Sequence, residues 1–430
     1  MTTAKTADKS IFARRESEVR SYSRSFDTVF STAQGSHLIN ENDEVFIDFL
    51  AGCSSLNYGH NDPEMKAALV EHIAGDGIAH GLDMYTDSKA AFLESFEELI
   101  LKPRGMDHKV MMTGPTGTNA VEAALKLARK VTGRKNVVSF TNGFHGMTLG
   151  SLALTGNSGK RGGAGGVALG DVTHLPFEGA MGPDVDTLEL ADAMLSNPSS
   201  GIDAPAAFIL ETVQGEGGLN AASKEWLQGV EKLARKHGAF FIVDDIQAGI
   251  GRTGEFFSFD GMGISPDLIP LAKSLSGFGL PFALLLLKPE HDIWKPAEHN
   301  GTFRGNTHAF VTGRIALEKF WRDDKFATEV KRKGEVLNKR LSEIAAYIPG
   351  AHLKGRGMMQ GIDVGSGEMA EEICATCFDN GLVIETSGAH DEVVKVLAPL
   401  TTPDEVMAEG LDILEAAVRG VAGSKSIAAE

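Results

Sequence analysis

Cysteine is scarce in this chain, and three thiols in 430 residues supply no disulfide framework. Cys374 and Cys377 form a C-x-x-C, but no second pair completes a zinc site and both fall in a helix expected over Glu368 to Asn380. They read as half-buried helix thiols, and no metal is expected. No apolar run reaches the roughly 18 to 20 residues that a membrane span requires, and the opening MTTAKTADKS lacks the apolar centre of a signal peptide. A cytoplasmic address and no membrane partner are therefore expected. Basic charge is also short. A net charge of −17 excludes the basic stripe that nucleic-acid phosphates or anionic lipids need, while still allowing a compact basic pocket for a small anion. There is no internal repeat, and the one low-complexity patch, Gly156 to Gly166, reads as a surface loop.

What is present is the composition of a soluble globular protein, 42% hydrophobic and 23% charged, and long enough for two domains. The first ten residues read as a frayed tail. Glu16 to Phe26 is helical or irregular, HLIN and VFIDFLAG read as two strands joined by a polar turn, and Pro63 opens a helix. Between Val110 and about residue 320, apolar runs alternate with amphipathic helices. Val137 to Phe140, Ala206 to Leu210, Ala239 to Val243, Leu268 to Ala272 and Ala283 to Leu287 are the expected strands, and Ser223 to His237 is a serine-capped helix stopped by Gly238. Such alternation implies a mostly parallel sheet covered on both faces. From Asp323 onward, charge-rich helices surround short strands near Gln360 and Val394, a separate α+β unit. The expected divisions are an arm and part of a small domain over 1–65, a large domain over 66–322 and a C-terminal small domain over 323–430.

Chemistry gathers at the carboxyl ends of these strands, where ligands of α/β sheets sit. One strand delivers Asp244 and Asp245, and another ends on Lys273. An acid that keeps a pyridine nitrogen protonated and an amine that forms an imine are the two groups pyridoxal phosphate chemistry needs. The helix Thr118 to Thr132 has Val121, Ala124, Leu125, Ala128 and Val131 on one face, an expected Glu122 to Lys126 pair, and Gly133 as its cap. Before it, GPTGT offers backbone amides at Gly117 and Thr118, either as a phosphate cup or as an ordinary capped helix start. Phe144 and His145 could face a flat ring or belong to the core, and Glu211 ends a strand on the same sheet edge as Asp244. Gly249 to Gly254 spells G-x-G-x-x-G, but it lies beyond the strand end and opens no helix; Gly159-Lys160 lacks the first glycine and the Ser or Thr of a phosphate-binding loop.

GTNAVEAALKLAR, FHGMTLG, ETVQGEGG, DDIQAGIGRTG, the lysine of AKSLSG and GTFRGN stand in the order and spacing of the class III aminotransferases, which the chain resembles over nearly its whole length. EVRSYSRSF, LNYGHN, DGIAHGLDMY, SLSGFGLPFA, DIWKP and GLVIETSG make it similar to one subgroup, the L-2,4-diaminobutyrate:2-oxoglutarate aminotransferases of ectoine biosynthesis. The resemblance implies a fold-type I pyridoxal-phosphate transferase: a large domain with a mostly parallel seven-stranded sheet flanked by helices, and a smaller α+β domain built from both termini. It also implies pyridoxal 5'-phosphate held by Lys273, which would then shuttle a proton, with Asp244 at the pyridine nitrogen and His145 beside it. Gln247 would lie near the phenolic oxygen, Phe144 on the ring, and Gly117 and Thr118 at the phosphate. Thr302 would reach in from a second subunit, making a homodimer or higher homo-oligomer the working unit. Asn119 stands where the wider class has glutamate, and Lys395 where it often has a carboxylate-clamping arginine. Glu211 would be the gate residue that pairs with a cation. Arg304, Lys395, Arg252 and Arg356 remain candidates for the substrate carboxylates. The implied reaction moves the amine of L-glutamate to aspartate 4-semialdehyde; another ω-aminotransferase acting on ornithine, acetylornithine or 4-aminobutyrate is the alternative. A pyridoxal-phosphate sensor fused to a DNA-binding module and a nicotinamide dehydrogenase are the readings from other classes.

Overall fold

The structure, a computed structural model, describes residues 9–428. The expected frayed tail lies almost wholly outside these residues, and Ser10 already opens a short helix, Ser10–Arg15.

Seven strands form the central sheet. Its spatial order is Lys109–Met112, Leu284–Leu287, Leu268–Leu271, Phe240–Val243, Ala207–Leu210, Val137–Phe140 and Val172–Leu175. Only Leu284–Leu287 runs against its neighbours; every other pairing is parallel. The five strands read from the sequence are buried along their whole length, as apolar runs covered on both faces must be. Each fully buried Leu, Ile, Val or Phe there contributes roughly 1.5–3 kcal/mol.

Helix Gly117–Thr132 packs against this sheet with Val121, Ala124, Leu125 and Ala128 buried, and ends on Gly133 in the left-handed region. The expected Glu122 to Lys126 pair is not made. Glu122 instead accepts from Thr148 Oγ1 (2.6 Å) and Ser151 N (3.0 Å), and Lys126 donates to the Glu298 carbonyl (2.5 Å). A carboxylate beside unfilled backbone donors of the next helix start is better satisfied there than by a solvated lysine. Helix Lys224–Lys236 has the expected cap, with Ser223 Oγ accepting from Trp226 N (3.1 Å).

Two further four-stranded sheets are assembled from both ends of the chain. In one, Phe30–Gln34, His37–Asn40 and Val45–Asp48 are joined by Leu382–Val383, which lies parallel to Val45–Asp48. The other is the antiparallel set His352–Arg356, Met359–Asp363, Val393–Val396 and Glu385–Ser387. Helices Lys325–Ala345, Gly367–Asp379 and Asp404–Ala428 accompany them. Cys377 is buried and Cys374 half-buried on the second of these, as expected for helix thiols. The glycine-rich patch is exposed but not structureless, because Ser158–Gly162 makes a short helix.

Candidate active site

Strand ends set the crevice. Val243 finishes its strand between two neighbours, so Asp244 emerges at the sheet's edge and yet stays buried. One carboxylate oxygen meets His145 Nδ1 at 2.7 Å and the other accepts from Ile246 N at 3.2 Å. Burial alone would lower the His145 pKa, but the hydrogen bond and charge of Asp244, helped by Glu211, raise it. The pair is thus a buried carboxyl group braced by an imidazole.

Lys273 lies two residues beyond the end of Leu268–Leu271 and sits at φ 52°, a left-handed conformation unusual for a side chain of this length. Its turn is pinned from behind: Ser274 Oγ donates to Ser54 O (2.7 Å) and accepts from Asn57 N (2.9 Å). Backbone held this way costs of order 1–3 kcal/mol and concentrates at functional sites.

A cavity of about 410 Å³ brings Gly117, Thr118, Phe144 and His145 together with Glu211, Asp244, Gln247 and Lys273. Eight of the expected site residues thus share one crevice. Thr302 and Arg304 do not line it; they face a second cavity of about 350 Å³ that shares Pro115 and Pro281 with the first. Arg304 Nε is donated to Met112 O (3.0 Å). Lys395 is fully buried, with Nζ 3.1 Å from Glu216 and 2.9 Å from Glu385.

The arginines named beside these are committed elsewhere. Arg252 is fully buried and donates to the carbonyls of Ala398 (2.6 Å) and Met358 (3.2 Å) and to Asn57 Oδ1 (2.6 Å), so it ties segments of the chain together instead of facing substrate. Arg356 is taken up by Ser258 O (2.8 Å) and Thr212 Oγ1 (3.3 Å).

Glu211, expected to pair with a cation, sits among backbone donors, and a neighbouring carboxylate meets the cation. Glu211 accepts from the amides of Phe144 (2.9 Å) and Gly215 (3.2 Å), which fixes it among backbone donors. Burial, reinforced by Asp244 and only partly offset by His145 and those amides, pushes its pKa up to about 7. Glu216, five residues on in the same ETVQGEGG motif, is the carboxylate that pairs with a cation, through Lys395. It also accepts from Gln247 Nε2 (3.0 Å). Burial would raise the Glu216 pKa, but the ammonium groups of Lys395 and Lys273 hold it well below the usual carboxylate range. Sequence reasoning missed Glu216 and Glu385, although both lie in motifs already singled out, ETVQGEGG and GLVIETSG.

These walls fit pyridoxal phosphate. A Cβ on Gly117 would stand 2.8 Å from Ile246 Cδ1, so glycine is what lets the first turn of helix Gly117–Thr132 approach a ligand with its unpaired amides. Phe144 and Ile246 give apolar walls for a flat ring, and Gln247 Oε1 is buried without a hydrogen-bond partner. Among the described residues no group of His, Cys, Asp and Glu could hold a metal ion, and no helix is long and apolar enough to cross a membrane.

Known proteins place the same architecture in a family. The chain is 54% identical over 413 residues to the diaminobutyrate--2-oxoglutarate transaminase of Halomonas elongata, covering 95% of this chain and 98% of that protein. It is 55% identical to the protein of that name from Vibrio parahaemolyticus, over 96% of this chain and 98% of the other. Among solved structures, a transaminase from the marine bacterium Virgibacillus superposes with a TM-score of 0.86 at 17% identity, covering 96% of this chain and 99% of that one. The ornithine aminotransferase of Toxoplasma gondii gives 0.83 at 25% identity, over 96% and 95%. The family model described as aminotransferase class-III matches residues 19–418, so this chain belongs to the class III aminotransferases, which work with pyridoxal 5'-phosphate on a fold-type I scaffold.

Proposed function

We propose that this chain transfers the amino group of L-glutamate to L-aspartate 4-semialdehyde, giving 2-oxoglutarate and L-2,4-diaminobutyrate, the first step of ectoine biosynthesis. The observation that carries the reading is identity of 51–55% over nearly the full length to proteins named for that reaction.

When bound, pyridoxal phosphate supplies the electron sink for breaking a bond at the substrate carbon. The chain's own residues do the rest. Lys273 Nζ would hold the cofactor covalently between turnovers and, once displaced by substrate, would carry the proton between the substrate carbon and the cofactor carbon. Asp244, backed by His145, would keep the pyridine nitrogen protonated. The amides of Gly117 and Thr118 would hold the phosphate, Gln247 would serve the phenolic oxygen, and Phe144 would cover the ring.

Glutamate carries a carboxylate on its reacting carbon, whereas the semialdehyde carries none there. Glu216 answers that difference: when it swings away from Lys395, the ammonium, still paired with Glu385, gains a face for the glutamate α-carboxylate, and when it returns that face is closed to an anion. The working unit we propose is a homo-oligomer in which Thr302 and Arg304 of one copy complete the crevice of another.

The test is mass spectrometry of the products from purified holoenzyme given glutamate and aspartate semialdehyde. Equal amounts of 2,4-diaminobutyrate and 2-oxoglutarate are expected. Turnover of ornithine or 4-aminobutyrate with no diaminobutyrate formed would keep the family chemistry and overturn the substrate.

A further inference from the structure

Strand Val45–Asp48 stops where the sequence reads it as running on to Gly52. Asp48 Oδ1 accepts from Leu50 N (2.9 Å) and Ala51 N (2.8 Å), while its other oxygen meets His60 Nε2 at 2.7 Å. The four residues after Leu50 are then all left-handed: Ala51 at φ 46°, Gly52 at 54°, Cys53 at 55° and Ser54 at 70°. Three of them carry a Cβ. L-residues visit this region singly, because the Cβ crowds the following carbonyl, and a whole turn of them is rare. Ser54 adds a second cost, since it is 1% exposed and its hydroxyl has no hydrogen-bond partner among the described residues.

The turn supplies two carbonyls to other elements. Ala51 O and Gly52 O are used locally, accepting from Leu56 N (3.0 Å) and Ser55 N (3.1 Å). Cys53 O instead accepts from Gln247 Nε2 (3.3 Å), and Ser54 O from Ser274 Oγ (2.7 Å). Gln247 and Lys273 both line the crevice, and Ser274 follows Lys273, whose own backbone is left-handed. Ser274 Oγ also accepts from Asn57 N (2.9 Å), so one short segment, 54–57, holds the residue after the lysine at two points.

We infer that the left-handed turn Ala51–Ser54 is a positioning element for Lys273: it aims Ser54 O at Ser274 and so fixes how the lysine side chain enters the crevice. The inference rests on Lys273 being the residue that holds the cofactor, as proposed above. Its physical basis is the narrowness of the left-handed well. A residue with a Cβ has only a small region of positive φ open to it, whereas glycine occupies positive and negative φ about equally. Once the Asp48 cap has forced the turn, Ser54 has little room to rotate, and its carbonyl stays on Ser274. Glycine there would relieve the crowding and remove the unpartnered hydroxyl, yet it would let the peptide swing. The turn thus keeps a strained residue where a relaxed one fits, the pattern expected of strain used for preorganisation.

The experiment compares the parent with Ser54→Gly, Ser54→Ala, Ser274→Ala and the double variant Ser54→Gly/Ser274→Ala. Apoprotein is mixed with pyridoxal phosphate, and covalent uptake by Lys273 is followed through the cofactor's visible absorbance. Holoenzyme is then given L-glutamate in a single half-reaction, which separates the limiting rate from the half-saturating concentration. Ser54→Gly should slow uptake and limiting rate about tenfold, leave the half-saturating concentration unchanged, and unfold at a temperature no lower than the parent. Ser54→Ala, the conservative variant that keeps the Cβ, should restore both rates to the parental range. Ser274→Ala should lose as much as Ser54→Gly, and the double variant no more than either, because both changes break one bond. Parental rates in Ser54→Gly, an equal loss in Ser54→Ala, or losses that multiply in the double variant would overturn the inference. A slower Ser54→Gly that also unfolds at a lower temperature would make the turn merely structural and overturn it too. Uptake needs no amino donor, so a parent that takes up cofactor but does not react with glutamate would overturn the proposed reaction and leave uptake to decide this inference alone.

Discussion

Lys273 and Glu211 are two residues whose environment does most to set their behaviour. Replacing Lys273 with alanine removes the amine that moves the proton, and turnover should fall by at least ~10³-fold, as expected when the acid–base group of a proton transfer is lost; more than a trace of activity in steady-state assays would remove Lys273 from its role. Asp244→Asn keeps the shape but not the charge that backs the ring nitrogen, and should slow the half-reaction with glutamate while the variant still binds cofactor. Glu211 is a carboxyl with a pKa raised by burial and by Asp244 to about 7, from an ordinary 4.5. Such a group holds its proton in the folded chain at a pH where the unfolded chain has lost it. Its contribution to stability is therefore present below about pH 4.5 and lost as pH rises towards 7, up to roughly 3 kcal/mol. Asp245, also raised to about 7, acts in the same direction. Thermal unfolding of Glu211→Gln at pH 5 and pH 8 should show a smaller drop than the parent protein. Lys273 and Asp244 were legible because each ends an apolar run, a pattern in the sequence itself. Glu216 was not, because which carboxylate of ETVQGEGG meets a cation depends on Lys395, 179 residues away.

Helix Gly117–Thr132 and the turn FHGMTLG act as one unit at the phosphate end of the crevice. Thr118 Oγ1 bonds both Thr148 Oγ1 and Ser151 Oγ at 2.7 Å, and Glu122 holds the same two residues from the next turn. Gly146 permits this contact. It lies at φ +125°, and a Cβ there would stand 2.5 Å from Thr118 Oγ1. Gly146→Ala should therefore displace Thr118 and weaken cofactor binding by about tenfold or more, in line with a strain of order 1–3 kcal/mol; titration of apoprotein with pyridoxal phosphate measures it, and unchanged affinity would mean that the turn does not position the helix start. At this scale the sequence was informative where elements were long or uniformly apolar. The five inner strands and the capped helices were found within a residue or two. The edge strands Lys109–Met112 and Val172–Leu175 were not, since they mix polar and apolar residues and owe their conformation to the strand beside them. Phe30–Gln34 was missed for the same reason.

For the whole molecule, the question is what covers the face around the second cavity. Leu82, Met84 and Phe303 line that cavity and are well exposed, and Tyr85 beside them is 99% exposed. An apolar group of this kind is where a monomer would be expected to associate. The same cavity holds Thr302 and Arg304 and shares two prolines with the crevice, so a second copy seated here would lie within reach of the chemistry. None of this could be read from one chain's periodicity, because a surface that packs only on another copy has the same sequence pattern as a core face. Phe303→Glu or Tyr85→Glu would place a charge in such a contact, where an unpaired buried charge is strongly unfavourable. The expected outcome is a shift from dimer or larger to monomer in light scattering, with turnover lost in parallel and thermal unfolding still cooperative. A variant that stays oligomeric and fully active would place the subunit contact on another face and leave Thr302 and Arg304 without a part in the site.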